Sequence, residues 1–451
     1  MIAKARVAAF EILRAVSAER ADLPSALVRA RETLTDDRDR ALAGDIATGV
    51  LRHRAAIDHL IATFAKRAID RLDAEVVTIL RLSCYQLLHL TRVPAAAVVD
   101  DAVDLTRRVK KRSAAGFVNA VLRAVSRNRK HLPLPTRPAN PSDRDAALDY
   151  LATTLSHPRW LATRWYDRLG LDRAERWMQF NNEPAKLTLR ANRLKTTPEL
   201  LAARLDRDDV ITTNGRWAPD ALIVTGGRAL QSDAAADGSF VVQDEASQLV
   251  ALLAGPSPGP QVLDTCASPG GKTTAMAAAM NNRGSIVACD VRTARIRLLT
   301  RTIEATGATN VRVVQADVMR RLPFSRRFDC VLVDAPCSGL GTLRRDPDIR
   351  WRRSEDDLPS LAAAQRQMLR HAAACVAGGG RLIYATCSSE PDENDAVVDA
   401  FLASEPSFSV VNVRTIPGMP AATADERGRL VTTPDEHGLE CFFGAVLRRS
   451  T

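Results

Sequence analysis

A chain of 451 residues is too long for one ordinary domain and long enough for two to four, each with its own core. Its hydrophobic fraction of 46% and charged fraction of 26% suit a globular protein, and no run of 18 apolar residues is present to form a membrane-spanning helix. Lys and Arg number 63 against 53 Asp and Glu, a formal net charge of +10, which favours a polyanionic partner.

The N-terminal run MIAKARVAAFEILRAV reads as an amphipathic helix without the apolar core or cleavage site of a signal peptide. The eight cysteines form no C-x-x-C pair and have no histidine at zinc spacing, so no metal site is expected and reduced thiols in the cytoplasm are the default.

Residues 1–132 read as an all-α bundle. Phe117, Val118, Val121, Leu122 and Val125 fall on one helix face, and Val76 to Leu90 is apolar nearly all round. Residues 133–141, PLPTRPANP, carry four prolines in nine positions and read as a linker. Residues 142–236 read as a small α+β module, with helical sequence around Trp160, Trp165, Tyr166 and Trp177. Strand-like KLTLRAN, helix-like PELLAARL and strand-like ALIVTGG follow. Residues 237–451 alternate short apolar runs (QVLDTCA, SIVACD, VRVVQAD, FDCVLVDAP, RLIYATC) with mostly helix-like stretches, the pattern of a Rossmann-like α/β domain with a parallel sheet.

The first run leads into Cys266-Ala267-Ser268-Pro269-Gly270-Gly271-Lys272, a glycine-bearing turn before a helix. A phosphate-cradling Walker loop would need glycine where Cys266 stands, so that reading fails. A nucleoside cofactor fits better. Asp290 ends the next strand, 26 residues after Asp264, where a carboxylate accepts from ribose hydroxyls. Asp317 and Asp334 end the third and fourth strands, where they suit an adenine amine and a cationic amino group. One such aspartate is more often a cap or turn residue; four at successive strand ends weaken that reading.

Cys337 lies just past the fourth strand in DAPCSG, and Cys387 just past the fifth in YATCSS. A free cysteine is usually a small buried hydrophobe, the reading for Cys84, Cys289, Cys330 and Cys375. Cys337 and Cys387 instead sit among small polar residues in loops over the same sheet edge as the cofactor turn. Carbon 5 of cytosine is a poor nucleophile. A thiolate adding to carbon 6 makes carbon 5 able to accept a methyl group.

The loop CASPGGKT, the turns DAPCSG and YATCS, and the later PDENDAVV resemble the RNA cytosine-C5 methyltransferases of the Sun/RsmB type (NOL1/NOP2/Sun family), over roughly residues 185–447. The resemblance implies that Cys387 is the nucleophile and that Cys337 assists product release. It also implies that Cys266 to Lys272, Asp290, Asp317 and Asp334 hold S-adenosyl-L-methionine. The N-terminal helices, through RLSCYQLLHLTRVPAAAVVDDAVDLTRR and AAGFVNAVLRAV, are similar to the NusB-like RNA-binding domain. That fusion is the arrangement of the bacterial branch whose substrate is 16S ribosomal RNA, read before or during subunit assembly. Asp346 stands where the family usually has histidine, and Glu440-Cys441 where it usually has Asp-Gly.

Arg107, Arg108, Lys110, Lys111 and Arg112 cluster on the helical domain, followed by Arg123, Arg127, Arg129 and Lys130, as a phosphate-binding face would. Arg190 and Asn192 match a family position that contacts RNA. Arg344 and Arg345, with Arg350 and Trp351, are further expected RNA contacts. The target cytosine must be unpaired or extruded. The competing readings are the same chemistry on transfer RNA and a non-catalytic NusB-like RNA-binding or antitermination factor.

Overall fold

The computed structural model describes residues 2–91, 93–255, 259–324 and 327–451. The chain forms two compact units, Met1–Pro184 with Leu343–Glu355, and Ala185–Thr342 with Asp356–Thr451. Among the described residues no helix is long and apolar enough to cross a membrane.

The first unit is helical. It opens with α1 (Lys4–Ser17), α2 (Leu23–Thr33), α3 (Asp37–Arg52), α4 (Arg54–Ala65), α5 (Ala74–His89), α6 (Ala95–Arg108) and α7 (Ala115–Asn128). The Asp73 carboxylate caps α5 by accepting from the Glu75 and Val76 amides, and every residue from Val76 to Gln86 is buried, as the largely apolar sequence requires. Val118, Val121, Leu122 and Val125 of α7 are buried in the same core as Phe10, Ile46 and Leu80. Gly49 lets α3 approach α5 closely: a Cβ there would lie 2.0 Å from the Tyr85 ring.

The proline-rich stretch 133–141 lies within the first compact unit. Its carbonyls are tied down, Pro133 O to the His59 ring at 2.9 Å and Pro135 O to the Thr154 hydroxyl at 2.6 Å. The helical sequence around Trp165 and Trp177 also lies in the first compact unit. It forms Arg159–Asn182, broken at Gly170 (φ 72°), with Trp165 and Trp177 edge to face at 5.4 Å.

The second unit holds two sheets. β1 (Thr188–Ala191), β2 (Ile211–Asn214), β3 (Ala221–Gly226) and β4 (Phe240–Val242) form an antiparallel sheet in the order β2-β3-β1-β4. Its core is built from Leu189 and Leu222 of the sheet with Leu201 and Leu205 of the helix Pro198–Arg207.

The larger sheet contains β5 (Gln261–Asp264), β6 (Ser285–Asp290), β7 (Val311–Gln315), β8 (Phe328–Asp334), β9 (Val376–Thr386), β10 (Phe408–Val411), β11 (Leu430–Thr432) and β12 (Phe442–Arg449). The order is β10-β12-β9-β8-β5-β6-β7, with β11 also on β12. The five strands from β5 to β9 are parallel, as expected, but three antiparallel strands complete the sheet. Alternate residues feed two cores. Val262, Ile286, Cys330, Leu332 and Ile383 face one, with helices Glu245–Ala254 and Gly271–Ala279. Leu263, Val287, Cys289, Val331 and Leu382 face the other, with Asp357–Ala373 and Asp395–Ser404. The chain runs outward from β5 to β7, then returns to the other side of β5 with β8. The strand ends of β5 and β8 therefore flank the switch point where ligands bind in such sheets.

Candidate active site

The expected cofactor loop crosses that switch point. Past the end of β5, the Thr265 amide donates to Leu332 O on β8 at 3.0 Å and the Ala267 amide to Cys289 O on β6 at 2.8 Å. The loop is thus laced to both neighbouring strands. Gly270 adopts φ 106°, a left-handed conformation that glycine takes at little cost, and it precedes the helix that starts at Gly271. Ser268 donates to Arg295 O at 3.1 Å, Pro269 is exposed, and Ala267 is buried. Burial pushes the Cys266 thiol well above its ordinary range, which keeps it neutral.

The acidic residues stand at or just beyond their strands' carboxyl ends. Asp290 ends β6 and is 4% exposed, yet among the described residues its carboxylate accepts only a 3.3 Å bond from the Arg292 amide and has Arg295 at 3.9 Å. That leaves acceptor capacity for hydroxyl donors. Asp317 lies two residues past β7 and accepts from the Met319 amide at 2.9 Å. Asp334 ends β8 and receives the Lys272 ammonium at 2.7 Å. Burial alone would lower the Lys272 pKa, but Asp334 and the nearby Cys387 raise it above its usual value. A fixed cation therefore sits in the site.

Asp264 is the fully buried member of this group. Thr273 Oγ1 donates to one of its oxygens at 2.7 Å, while the other, facing the Cys266 amide, lacks a bond of good geometry. Burial, with the charge of Asp334, pushes its pKa up to about 7. The raised value means that the folded chain holds a proton the unfolded chain has lost. Stability tied to Asp264 is thus complete below about pH 4 and falls as pH rises toward 7. Asp264→Asn is expected to melt higher than wild type at pH 8, with the gap closing near pH 5. A series of thermal melts across that range checks the sign.

The two loop cysteines meet. Cys337 Sγ lies 3.3 Å from Cys387 Sγ, at the carboxyl ends of adjacent parallel strands. Cys337 is held well above the usual thiol range by its S–H bond to Cys387, by burial, and by the charges of Cys387 and Glu393.

Gly341 holds the two turns together: its amide donates to Cys387 O at 3.0 Å and its carbonyl accepts from the Cys441 amide at 3.0 Å. A Cβ at this position would lie 2.1 Å from Cys441 O and 2.7 Å from Cys387 O, so only glycine fits. Cys84, Cys289, Cys330 and Cys375 are buried. Sequence reading missed Glu393, whose buried carboxylate bonds both cysteine turns. Its only signal was an acidic residue in PDENDAVV, shortly after Cys387.

Four of the residues expected to contact RNA are buried. Arg190 is 4% exposed and its guanidinium is spent on Gln243, Gly271 O and Thr274 Oγ1, which anchor β1 to the start of the cofactor-loop helix. Asn192 is buried and donates to Gly238 O and Thr306 O. Arg344 is buried in the first unit, bonded to Pro184 O at 3.1 Å and stacked over Phe180 at 4.2 Å. Arg350 is fully buried and feeds the carbonyls of Arg52, Ser156, Asn181 and Leu343 and the Asn182 side chain. In this structure these side chains bond groups within the fold.

Trp351 is half-buried, donates to Leu51 O at 2.6 Å and has Arg54 over its ring. Arg345 is half-buried, and its charge opposes the rise of Asp346 to about pKa 6, a rise caused by burial and then by Asp348. By contrast Arg107, Arg108, Lys110, Arg112, Arg123, Arg127, Arg129 and Lys130 are exposed on the helical unit.

Comparison with known proteins agrees with this arrangement. The family model for 16S rRNA methyltransferase RsmB/F matches residues 251–448, the NusB family model residues 3–127, and the RsmF/B-like ferredoxin-like domain residues 157–231. The chain is similar to the probable ribosomal RNA small subunit methyltransferase B of Bacillus subtilis, at 32% identity over 92% of this chain and 91% of that protein. It is likewise similar to ribosomal RNA small subunit methyltransferase B of Pseudomonas putida, at 32% identity over 92% of each. Among solved structures, PH0851 matches with TM-score 0.81 and 26% identity over 100% of this chain and 99% of that one. A methyltransferase homolog from Pyrococcus horikoshii matches with TM-score 0.59 and 28% identity over 67% of this chain and 99% of that one.

Proposed function

Because the chain belongs to the RsmB/F 16S rRNA methyltransferase family, we propose that it methylates carbon 5 of a cytosine in small-subunit ribosomal RNA through a covalent adduct at Cys387. The observation that carries this reading is the pair of thiols at 3.3 Å, set beside the Lys272–Asp334 ion pair at the switch point.

S-adenosylmethionine would supply an electrophilic methyl group. The donor set fits it. Asp290, with acceptor capacity to spare, suits the ribose hydroxyls, and Asp317 suits the adenine amine. Asp334 keeps its second oxygen for the amino group, and the loop Cys266 to Lys272 lines the methionine portion.

Cys387 is the nucleophile. Its sulfur forms a bond to carbon 6, the 5,6 double bond opens, and carbon 5 gains the electron density to take the methyl group. Loss of the carbon 5 proton to a base then restores the double bond as the sulfur–carbon 6 bond breaks and Cys387 leaves as thiolate. Cys337, which holds its proton, donates a hydrogen bond to the leaving sulfur. Lys272 keeps a positive charge beside the sulfur through both steps.

The substrate is read from the helical unit, whose exposed cations provide salt-dependent, sequence-blind contact with phosphates. The target is an unpaired or extruded cytosine, in small-subunit RNA before or during assembly and in the cytoplasm, where thiols stay reduced. The test is incubation with radiolabelled methyl donor and three RNAs: naked small-subunit RNA, assembled small subunits and transfer RNA, all lacking the modification. Label recovered as 5-methylcytosine from naked small-subunit RNA is the expected result. Label confined to transfer RNA, or on another base, would overturn the assignment. Failure to bind the methyl donor at all would favour a pure RNA-binding role.

A further inference from the structure

We propose that Glu393 is a positioning residue that clamps the turns carrying Cys337 and Cys387 and so sets the distance between the two sulfurs. The proposal rests on the reading of those cysteines given above.

Glu393 is fully buried, and its carboxylate receives four donors. The Ser338 amide at 2.8 Å and Gln365 Nε2 at 2.9 Å share Oε1. The Ser338 hydroxyl and the Ser388 hydroxyl, both at 2.5 Å, share Oε2. Ser338 follows Cys337 and Ser388 follows Cys387, so one carboxylate holds the residue after each sulfur. The two hydroxyls also meet at 3.1 Å. Tyr384, on the strand leading to Cys387, donates to Glu393 O at 2.6 Å and fixes the backbone.

Burying a carboxylate is costly, and four donors compensate for it here. A structural plug for this space could have been apolar. A charged acceptor instead draws both turns to a single point. Its negative charge also helps to keep the proton on Cys337.

Glu393→Gln separates these roles from folding. With the amide nitrogen in the Oε2 position, Oε1 still accepts from the Ser338 amide and Gln365, while both serine hydroxyls must rotate to accept. The turn survives, and two charge-assisted bonds to the hydroxyls become weaker neutral ones of reversed direction.

The probe is phenylarsine oxide, which bridges two thiols held close together. Two S–H bonds break, two As–S bonds form, and the arsenical oxygen leaves as water with no change of oxidation state. The assay contains neither RNA nor methyl donor, so it stands or falls independently of the methyltransferase reading. Full-length wild type is expected to bind one arsenical and to lose it on Cys337→Ala. Glu393→Gln is expected to bind at least about tenfold more weakly. In turnover, the same variant should lower kcat while the KM for methyl donor stays within about twofold.

Absence of arsenical binding by wild type, or its retention by Cys337→Ala, would refute the thiol pairing and the clamp with it. Glu393→Gln with wild-type arsenical affinity and kcat would also overturn the proposal. If that variant does not fold, Ser338→Ala combined with Ser388→Ala keeps the carboxylate and removes both hydroxyls. The same loss of affinity supports the clamp, and unchanged affinity refutes it.

Discussion

A Cys387→Ala variant is expected to lose methyl transfer by a factor on the order of 10^4 or more, as is usual when a covalent nucleophile is removed. The side chain donates no bond on which the fold depends, and the turn around it is held by other groups. The Cys387 carbonyl bonds the Gly341 amide, Asn394 Nδ2 donates to Ser388 O at 2.9 Å, and the Ser388 hydroxyl is held by Glu393. Affinity for the methyl donor should therefore stay within about twofold of wild type, because the donor's expected partners lie at or just beyond the ends of β5, β6, β7 and β8. Equilibrium binding and single-turnover transfer, measured on the same preparation, separate these effects. Retained transfer would remove Cys387 from the mechanism.

Replacing Cys337 by alanine has a different expected outcome. The nucleophile remains, so the adduct forms. The S–H donor 3.3 Å from the leaving sulfur is gone, so release slows. The enzyme should accumulate on RNA as a complex that survives denaturant and runs as a slow band on a denaturing gel, with turnover reduced about 100-fold or more. Cys387→Ala should give no such band. The opposite pattern, a band with Cys387→Ala and none with Cys337→Ala, would exchange the two roles. The Cys337 thiol is raised by its bond to Cys387, by burial and by neighbouring charges, a direction that suits a hydrogen-bond donor to the leaving sulfur.

The parts of this site set by local sequence could be read without coordinates. A short apolar strand that ends in Asp and meets a glycine turn can be recognised from spacing alone, so β5, β6 and β8 and the loop from Cys266 to Gly271 fall where their sequence places them. Cys337 and Cys387 follow neighbouring parallel strands, and the period of those strands brings them to one edge.

What depends on distant partners was not legible. Arg190, Arg344 and Arg350 look like phosphate contacts in a basic chain, but carbonyls supplied by remote segments take up their guanidinium groups. Residues 343–355 continue directly from the Cys337 loop in sequence, yet they pack within the helical unit. No long helix separates β10, β11 and β12, so helix-and-strand alternation does not announce β11 and β12. Nothing in the local sequence around Glu393 announces the four donors that converge on its carboxylate.

RNA bearing 5-fluorocytosine at the target offers the most direct test of the central claim. Fluorine at carbon 5 cannot be removed as a proton, so elimination stops after methyl transfer and the adduct persists. Wild-type protein incubated with this RNA and methyl donor should be recovered with a methylated nucleotide bonded to the Cys387 sulfur, located by peptide mass spectrometry. A nucleotide found on Cys337, or normal turnover with no protein-linked RNA, would contradict the account.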